Sequence, residues 1–360
     1  MITTRAPGKL YIAGEYAVVE PGHPAVLMAV DRFLTVELTE AEGRGMVHSS
    51  RYGRGPLTWV REGESIVVDH SPFDYVTAAI AIMDKLRAER GLAPRYFDLR
   101  ISSELDDPSG LKFGLGSSGA VTVAIIDALN RFHGLELSTW QRFQLALLAT
   151  ISVSPKASGG DLAASTYGGW ICYTAPDRSA LLALLEGGSL AEVLDAPEWG
   201  ICRIAPLGEP AGITMLVGWT GTPASTERLV DRVSRPEAEV SAQYARFLED
   251  SREAVEELVA AWGTDPSAVL AVLRRCRRLL QGLGALRGST IETAQLGALC
   301  DLAEAAGAAG KPSGAGGGDC GIVALPDGAD AQEILSRWRE VGILPLDLHV
   351  NPSETEGAPA

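Results

Sequence analysis

The chain has 360 residues, 46% of them hydrophobic, which suits two packed domains and argues against disorder. A net charge of -15 repels polyanions, so no nucleic-acid partner is expected. No run approaches the ~18 consecutive apolar residues of a membrane span, and residues 1–10 hold no apolar signal core, so no membrane association and a cytoplasmic location are expected.

Residues 25–38 have the apolar pattern of extended chain. Ser71, followed by Pro72 and Asp74, suits an N-cap with a first-turn proline and acid, and Gly91 suits the stop of the helix between them. Phe97, Leu99 and Ile101 alternate with polar neighbours as in a half-buried strand. An apolar helix is expected over 120–132, ending at Gly134, and Ser138 with Gln141 forms a capping box for the next. Beyond about Pro206 the pattern resets to an apolar strand at 213–219, helices from Glu237 to about Ala309, and a closing strand, helix and strand. The fold class is therefore α+β in two domains, 1–205 and 206–352, with a small polar tail at 353–360 expected to fray.

The five cysteines are scattered and never spaced Cys-x-x-Cys, so they read as reduced core thiols rather than disulfides or zinc ligands. Arg274, Arg275, Arg277 and Arg278 share one predicted helix and read as a solvated face. Lysine is scarce, with five residues against twenty-six arginines. Four of the five (Lys9, Lys112, Lys156 and Lys311) fall in or beside glycine- and serine-rich segments, where a compact ammonium could meet phosphate.

The sharpest local signal is Gly114-Leu115-Gly116-Ser117-Ser118-Gly119, leading directly into the apolar helix. Glycines let backbone N–H groups approach an anion, a helix N-terminus adds about half a positive charge, and two adjacent hydroxyls can bond phosphate or magnesium. The segment formally matches the dinucleotide fingerprint, with Glu136 near the place of a ribose-binding acid. However, Asp106-Asp107-Pro108-Ser109-Gly110 stands where that fingerprint needs a buried strand. A P-loop is excluded because no Gly-Lys-Ser/Thr follows the required spacer.

Two further segments of this kind open and nearly close the chain: Pro7-Gly8-Lys9-Leu10-Tyr11-Ile12-Ala13-Gly14-Glu15-Tyr16 and Lys311-Pro312-Ser313-Gly314-Ala315-Gly316-Gly317-Gly318-Asp319-Cys320. The trio, in this order and over essentially the whole chain, resembles the GHMP kinase superfamily. Within it, residues 9–19, Gly160-Asp161-Leu162-Ala163-Ala164-Ser165 with Tyr167-Gly168-Gly169-Trp170, and Trp219-Thr220-Gly221-Thr222-Pro223-Ala224-Ser225-Thr226 are most similar to bacterial phosphomevalonate kinases. The resemblance implies a ribosomal-protein-S5-like N-terminal domain and a ferredoxin-like C-terminal domain. It also implies that ATP and phosphomevalonate meet between them, in the mevalonate pathway of isoprenoid biosynthesis.

By the same resemblance, Gly114, Leu115, Gly116, Ser117, Ser118 and Gly119 would hold the ATP phosphates, with Ser118 on magnesium. Lys9 would touch the transferred phosphoryl or the acceptor, and Asp161, flanked by Gly159 and Gly160, matches the superfamily's catalytic aspartate. Related mevalonate kinases place a glutamate upstream as a second metal ligand, and no acid occurs in 145–160 here. A phosphate monoester with second pKa near 6 is already ionised at pH 7, so Asp161 is expected to orient groups rather than to take an essential proton.

Expected acceptor contacts are Glu15, Tyr16, Ala17 and Ser165, with Gly314, Ala315 and Gly316 from the closing loop. Thr220, Thr222, Ser225 and Thr226 add four hydroxyls ahead of a helix expected near Glu227, again an anion-friendly start. Lys112 and Lys156 are further candidates for the acceptor's phosphate. The same residues also suit a mevalonate kinase, the decarboxylase that acts on diphosphomevalonate, or a non-catalytic nucleotide and metabolite sensor. A monomer or homodimer is expected.

Overall fold

One long strand organises the first half of the chain. In the computed structural model, which describes residues 1–49, 55–63, 65–68, 74–107, 109–222 and 241–353, β2 (Pro24–Ala41) pairs antiparallel with β1 (Ile2–Ala13) along one edge. Its other edge takes β7 (Trp170–Thr174) beside residues 24–28 and β6 (Tyr96–Ser103) beside residues 34–41. β3 (Gly45–His48), β4 (Leu57–Glu62) and β5 (Ser65–Val68) extend the β6 side, and β8 (Arg203–Leu207) extends the β7 side, making eight strands. Residues 25–30 of β2 are all buried, because helices cover this part of the sheet, whereas Leu34, Val36 and Leu38 alternate with less buried neighbours.

α2 (Ser117–His133) and α4 (Gly160–Tyr167) lie on β1 and β2, and α1 (Tyr75–Glu89) and α3 (Thr139–Val153) pack on α2. α1 is capped by Asp74 rather than by the expected Ser71: its carboxylate accepts from the Val76 and Thr77 N–H groups, and Thr77 returns a bond to the Asp74 N–H. Such a box contributes about 1 kcal/mol. Residues 71–73 lie outside the described residues. α2 starts three residues before the expected 120 and stops at Gly134, which adopts the left-handed conformation. The Ser138–Gln141 capping box forms as the sequence implies. α5 (Arg178–Gly187) and α6 (Leu190–Leu194) follow β7.

The chain leaves the first sheet after Leu207 and enters the second at Ile213, so the expected boundary at 205/206 falls inside β8. β9 (Ile213–Trp219), β10 (Ala309–Pro312), β11 (Cys320–Pro326) and β12 (Leu344–Leu346) form an antiparallel sheet in the order β10-β11-β9-β12. Among the described residues, three helices, α7 (Ser241–Ala261), α8 (Pro266–Arg287) and α9 (Ala294–Ala305), come between β9 and β10, and the expected helix starts near Glu227 and Glu237 lie outside those residues. α10 (Ala331–Glu340) links β11 to β12. The result is the β-α-β-β-α-β plan of a ferredoxin-like domain.

The helical run ends at Ala305 rather than near Ala309, because Gly307 turns the chain with a positive φ and Ala309 already opens β10. Leu299, Cys300 and Ala303 of α9 pack with Ile334 and Trp338 of α10 over Val323 and Leu325. After β12, the chain returns to β2: the Asp31 N–H donates to the His349 carbonyl at 2.9 Å, and the Asn351 N–H donates to the Ala29 carbonyl at 3.0 Å. Of the expected tail at 353–360, only Ser353 is described.

Of the arginine cluster on α8, Arg278 is exposed as a solvated face requires, but the other three are not free on that face. Arg277 is 6% exposed and donates to Glu292, Asp301 and Glu304, while Arg275 reaches Glu253 and Glu257, and Arg274 caps the carbonyls of Gly307 and Ala308. The five cysteines are unpaired, four of them buried. No helix among the described residues is long and apolar enough to cross a membrane.

Candidate active site

Gly114 and Gly116 adopt left-handed backbone, with φ of 83° and 80°, and turn the chain sharply around the buried Leu115. Leu115 also crosses β1, its carbonyl accepting the Lys9 N–H at 2.9 Å; a Cβ on Gly8 would lie 2.9 Å from that same oxygen. Gly116 is the N-cap of α2 and no side chain caps this end, so the first N–H groups of the helix are left to an anion. Ser117 and Ser118 are half-buried beside them.

Lys9 runs under this turn. It is 9% exposed, its Nζ donates to the Gly114 carbonyl at 3.1 Å, and a Cβ on Gly116 would lie 2.9 Å from Lys9 Cε. Burial pushes the Lys9 pKa down, against the opposing pull of Asp161 and then Asp319. Asp161, the second residue of α4, abuts the first turn of α2: a Cβ on Gly119 would stand 2.6 Å from Asp161 Oδ2. Its Oδ1 accepts the Leu162 N–H at 3.0 Å. Asp161 keeps a solvent-accessible edge, yet it sits deep between helices, and burial pushes its pKa up while Lys9 pulls it down.

The loop before α4 is held from three sides. Tyr11 Oη lies 2.9 Å from Ser158 Oγ, Tyr173 Oη donates to the Ser158 carbonyl at 2.7 Å, and Arg178 donates to the Ala157 carbonyl at 3.1 Å. Gly160 is required there, since a Cβ would fall 2.4 Å from Tyr11 Oη.

The third segment docks on the first. The Ser313 hydroxyl accepts the Tyr11 N–H at 3.0 Å and donates to the Tyr11 carbonyl at 2.9 Å, and the Cys320 thiol lies 3.0 Å from the Phe113 carbonyl. Tyr16 donates to the Ala315 carbonyl at 2.5 Å. Its backbone, at φ 63° and ψ -49°, forms a γ-turn of the strained hand in which the Ala17 N–H meets the Glu15 carbonyl at 2.7 Å. Gly316 packs on Ile291, whose carbonyl takes the Gly317 N–H at 2.7 Å. Segments hundreds of residues apart in sequence thus meet around Lys9.

Several expected contacts have other employment. Glu15 and Lys311, 4% and 0% exposed, form a buried ion pair with each other, so neither is a free charge for phosphate. Ser165 is buried and donates to the Pro7 carbonyl at 2.7 Å, tying α4 to β1. Ala17 is fully buried and offers no polar side chain. Thr220 is 3% exposed and bonds the Asp319 carbonyl through both its N–H and its hydroxyl, at 3.0 and 3.1 Å. Thr222 is exposed, and its backbone carbonyl, not its hydroxyl, accepts the Asp319 N–H at 2.8 Å. Lys112 and Lys156 are exposed, Gly314 and Ala315 are half-buried, and Ser225 and Thr226 lie outside the described residues. Residue-type reasoning gave no role to Tyr11, Ser313 or Asp319; the one available signal was an acid set among glycines ahead of an apolar strand.

Magnesium is a hard ion that takes oxygen donors, keeps several waters, and needs only one or two protein ligands when it is shared with phosphates. Among the described residues there is no cluster of three or more His, Cys, Asp or Glu side chains suited to a metal. The Ser118 hydroxyl at the uncapped α2 terminus and the Asp161 carboxylate against Gly119 supply oxygen of the right kind and number. These residues fit the ion.

A cradle of backbone N–H groups at a glycine-led helix start, a buried lysine and two acids between two α+β halves define a small-molecule phosphotransferase. Family models for the GHMP kinases match twice, the N-terminal domain over residues 74–169 and the C-terminal domain over residues 270–344. The chain belongs to the GHMP kinases. It is 46% identical to a phosphomevalonate kinase of Streptomyces sp. (strain CL190), over 96% of each chain. It is 28% identical to a mevalonate kinase of Thermococcus gammatolerans, over 91% of this chain and 90% of that one. Among solved structures, Streptococcus pneumoniae phosphomevalonate kinase in complex with phosphomevalonate and AMPPNP superposes with a TM-score of 0.84, at 30% identity over 98% of this chain and all of that one.

Proposed function

We propose that this chain transfers the γ-phosphoryl group of ATP to phosphomevalonate, giving diphosphomevalonate and ADP, as a cytoplasmic enzyme of the mevalonate pathway. The observation that carries the reading is the junction of Lys9, the uncapped start of α2 and Asp161 in one buried place, with Lys9 and Asp161 packed so closely on Gly116 and Gly119 that an added Cβ would displace them. Full-length similarity to a phosphomevalonate kinase exceeds that to a mevalonate kinase and favours the phosphorylated acceptor. Residues 1–207 and 213–346 then act as the two lobes of the cleft.

Phosphoryl transfer asks for position and positive charge, since the moving group spreads its charge over three equatorial oxygens. The α2 N-terminus and residues 114–119 would bind the nucleotide phosphates. The Lys9 ammonium would bridge donor and acceptor; with two anions converging, every removed cation is felt in the barrier. Asp161 would hold Lys9 in place and keep it protonated rather than act as an essential base, because the acceptor phosphate is ionised at pH 7. When bound, magnesium supplies charge neutralisation at the phosphates, and Ser118 with Asp161 would hold it.

The test is ADP release with mevalonate, phosphomevalonate and diphosphomevalonate as separate acceptors. Turnover with phosphomevalonate at least 100-fold above the other two in kcat/KM supports the reading. Turnover with mevalonate alone would sink it, and tight binding without product from any acceptor would leave a sensor.

A further inference from the structure

Asp319 is the acid that the closing glycine loop delivers to the cradle. Three features show that the fold is built around it. Its backbone is left-handed at φ 52°, a conformation that costs an L-residue and that the three preceding glycines accept more readily. That backbone is locked, with the carbonyl taken by both donors of Thr220 and the N–H by Thr222. The side chain fills the space where Gly114 lacks one: a Cβ on Gly114 would lie 2.5, 2.6 and 2.7 Å from Asp319 Cβ, Cγ and Oδ2. The other face of the same turn belongs to Lys9, whose Nζ donates to the Gly114 carbonyl.

We propose that Asp319 is a positioning residue that, with Asp161, fixes the Lys9 ammonium from the side of the closing loop, so that docking of that loop completes the site. An acid this near two converging anions would repel them if it stood alone. Set against Lys9 it instead restricts where a flexible ammonium can point. After Asp161, Asp319 is the acid with the next largest electrostatic pull on Lys9, ahead of Glu15. The inference rests on the phosphotransferase reading for its kinetic consequence but not for its structural one.

The experiment uses Asp319→Asn and Asp319→Gly, both of which accept positive φ and leave the loop backbone unstrained. Kinetics are run on whichever acceptor the wild type phosphorylates, so a wrong acceptor assignment shows in the wild type and not in the comparison. The expected result is a fall in kcat of about 100-fold in both variants, with KM for ATP within about threefold and melting temperature unchanged. The Lys9→Met/Asp319→Asn double variant should be no slower than Lys9→Met alone, because the two act as one unit.

A second readout needs no turnover. Lysine labelled at Cε gives five NMR signals, the Lys9 signal being the one absent from Lys9→Met, and it should move in Asp319→Asn while the signal of Lys85 stays. An Asp319→Gly enzyme with kcat within threefold of wild type, a double variant with multiplied losses, or an unmoved Lys9 signal would each overturn the proposal.

Discussion

Replacing Gly119 by alanine separates the role of Asp161 from the stability of the fold. The residue lies in the first turn of α2 and outside the positive-φ set, so alanine suits its backbone and is favoured over glycine by up to about 1 kcal/mol in a helix. The new Cβ would stand 2.6 Å from Asp161 Oδ2, 2.8 Å from Cγ and 3.1 Å from Cβ. Ordinary contact begins near 3.4 Å, so the carboxylate has to retreat by roughly 1 Å. It has little choice of route, because α4 is pinned by the fit of Gly160 against Tyr11 Oη, and the side chain must therefore turn away from the cradle.

Misplacement of about 1 Å in a phosphotransfer site costs on the order of 100-fold in rate. That corresponds to about 2.7 kcal/mol of transition-state stabilisation. The assay is steady-state ADP release beside a thermal melt. The variant should melt at or above the wild-type temperature while kcat falls about 100-fold. A kcat within threefold of wild type in a folded variant would refute the idea that Asp161 must stand where it does.

Lys9→Met should lose most of kcat while ATP affinity, read by calorimetry, stays within a few-fold, as expected of a charge that acts mainly in the transition state. Lys311→Met strands the Glu15 carboxylate in the interior and should cost about 3–5 kcal/mol in urea denaturation, with Glu15→Leu added to it recovering much of the loss. Burial, with nearby Arg87, Arg95 and Arg61, lowers the His133 pKa from 6.5 to about 4 despite the pull of Asp84. The folded state then binds fewer protons than the unfolded state in that window, so stability is full above pH 6.5 and is lost as pH falls toward 4. With its ring partly exposed, the loss should be on the order of 1–2 kcal/mol. His133→Gln should flatten that limb of the pH–stability curve, and an unchanged slope would assign it to other groups.

What the sequence made legible follows from how local the signal was. The turn at 114–119 and the helix after it could be read because glycines and an apolar run sit side by side, and the Ser138 box could be read because both partners lie three residues apart. β10 was hidden because four residues containing a glycine, a lysine and a proline read as loop. The role of Lys311 was hidden because its partner, Glu15, is 296 residues away, and no local pattern reports a buried ion pair between such distant residues. Arg277 failed for the same reason: its three acids lie beyond its own helix. The threonine hydroxyl at 220 was legible as a donor, but its partner, the Asp319 carbonyl, depends on how the β9 and β11 ends meet. Asp74 won over Ser71 as a cap although both residue types suit the position.

A crystal structure with a non-hydrolysable ATP analogue and phosphomevalonate bound together tests the central claim most directly. It should show the γ-phosphate at the N–H groups opening α2, with Lys9 Nζ within hydrogen-bond reach of both that phosphate and the acceptor's. A nucleotide seated away from residues 114–119, or an acceptor phosphate beyond the reach of Lys9, would contradict it.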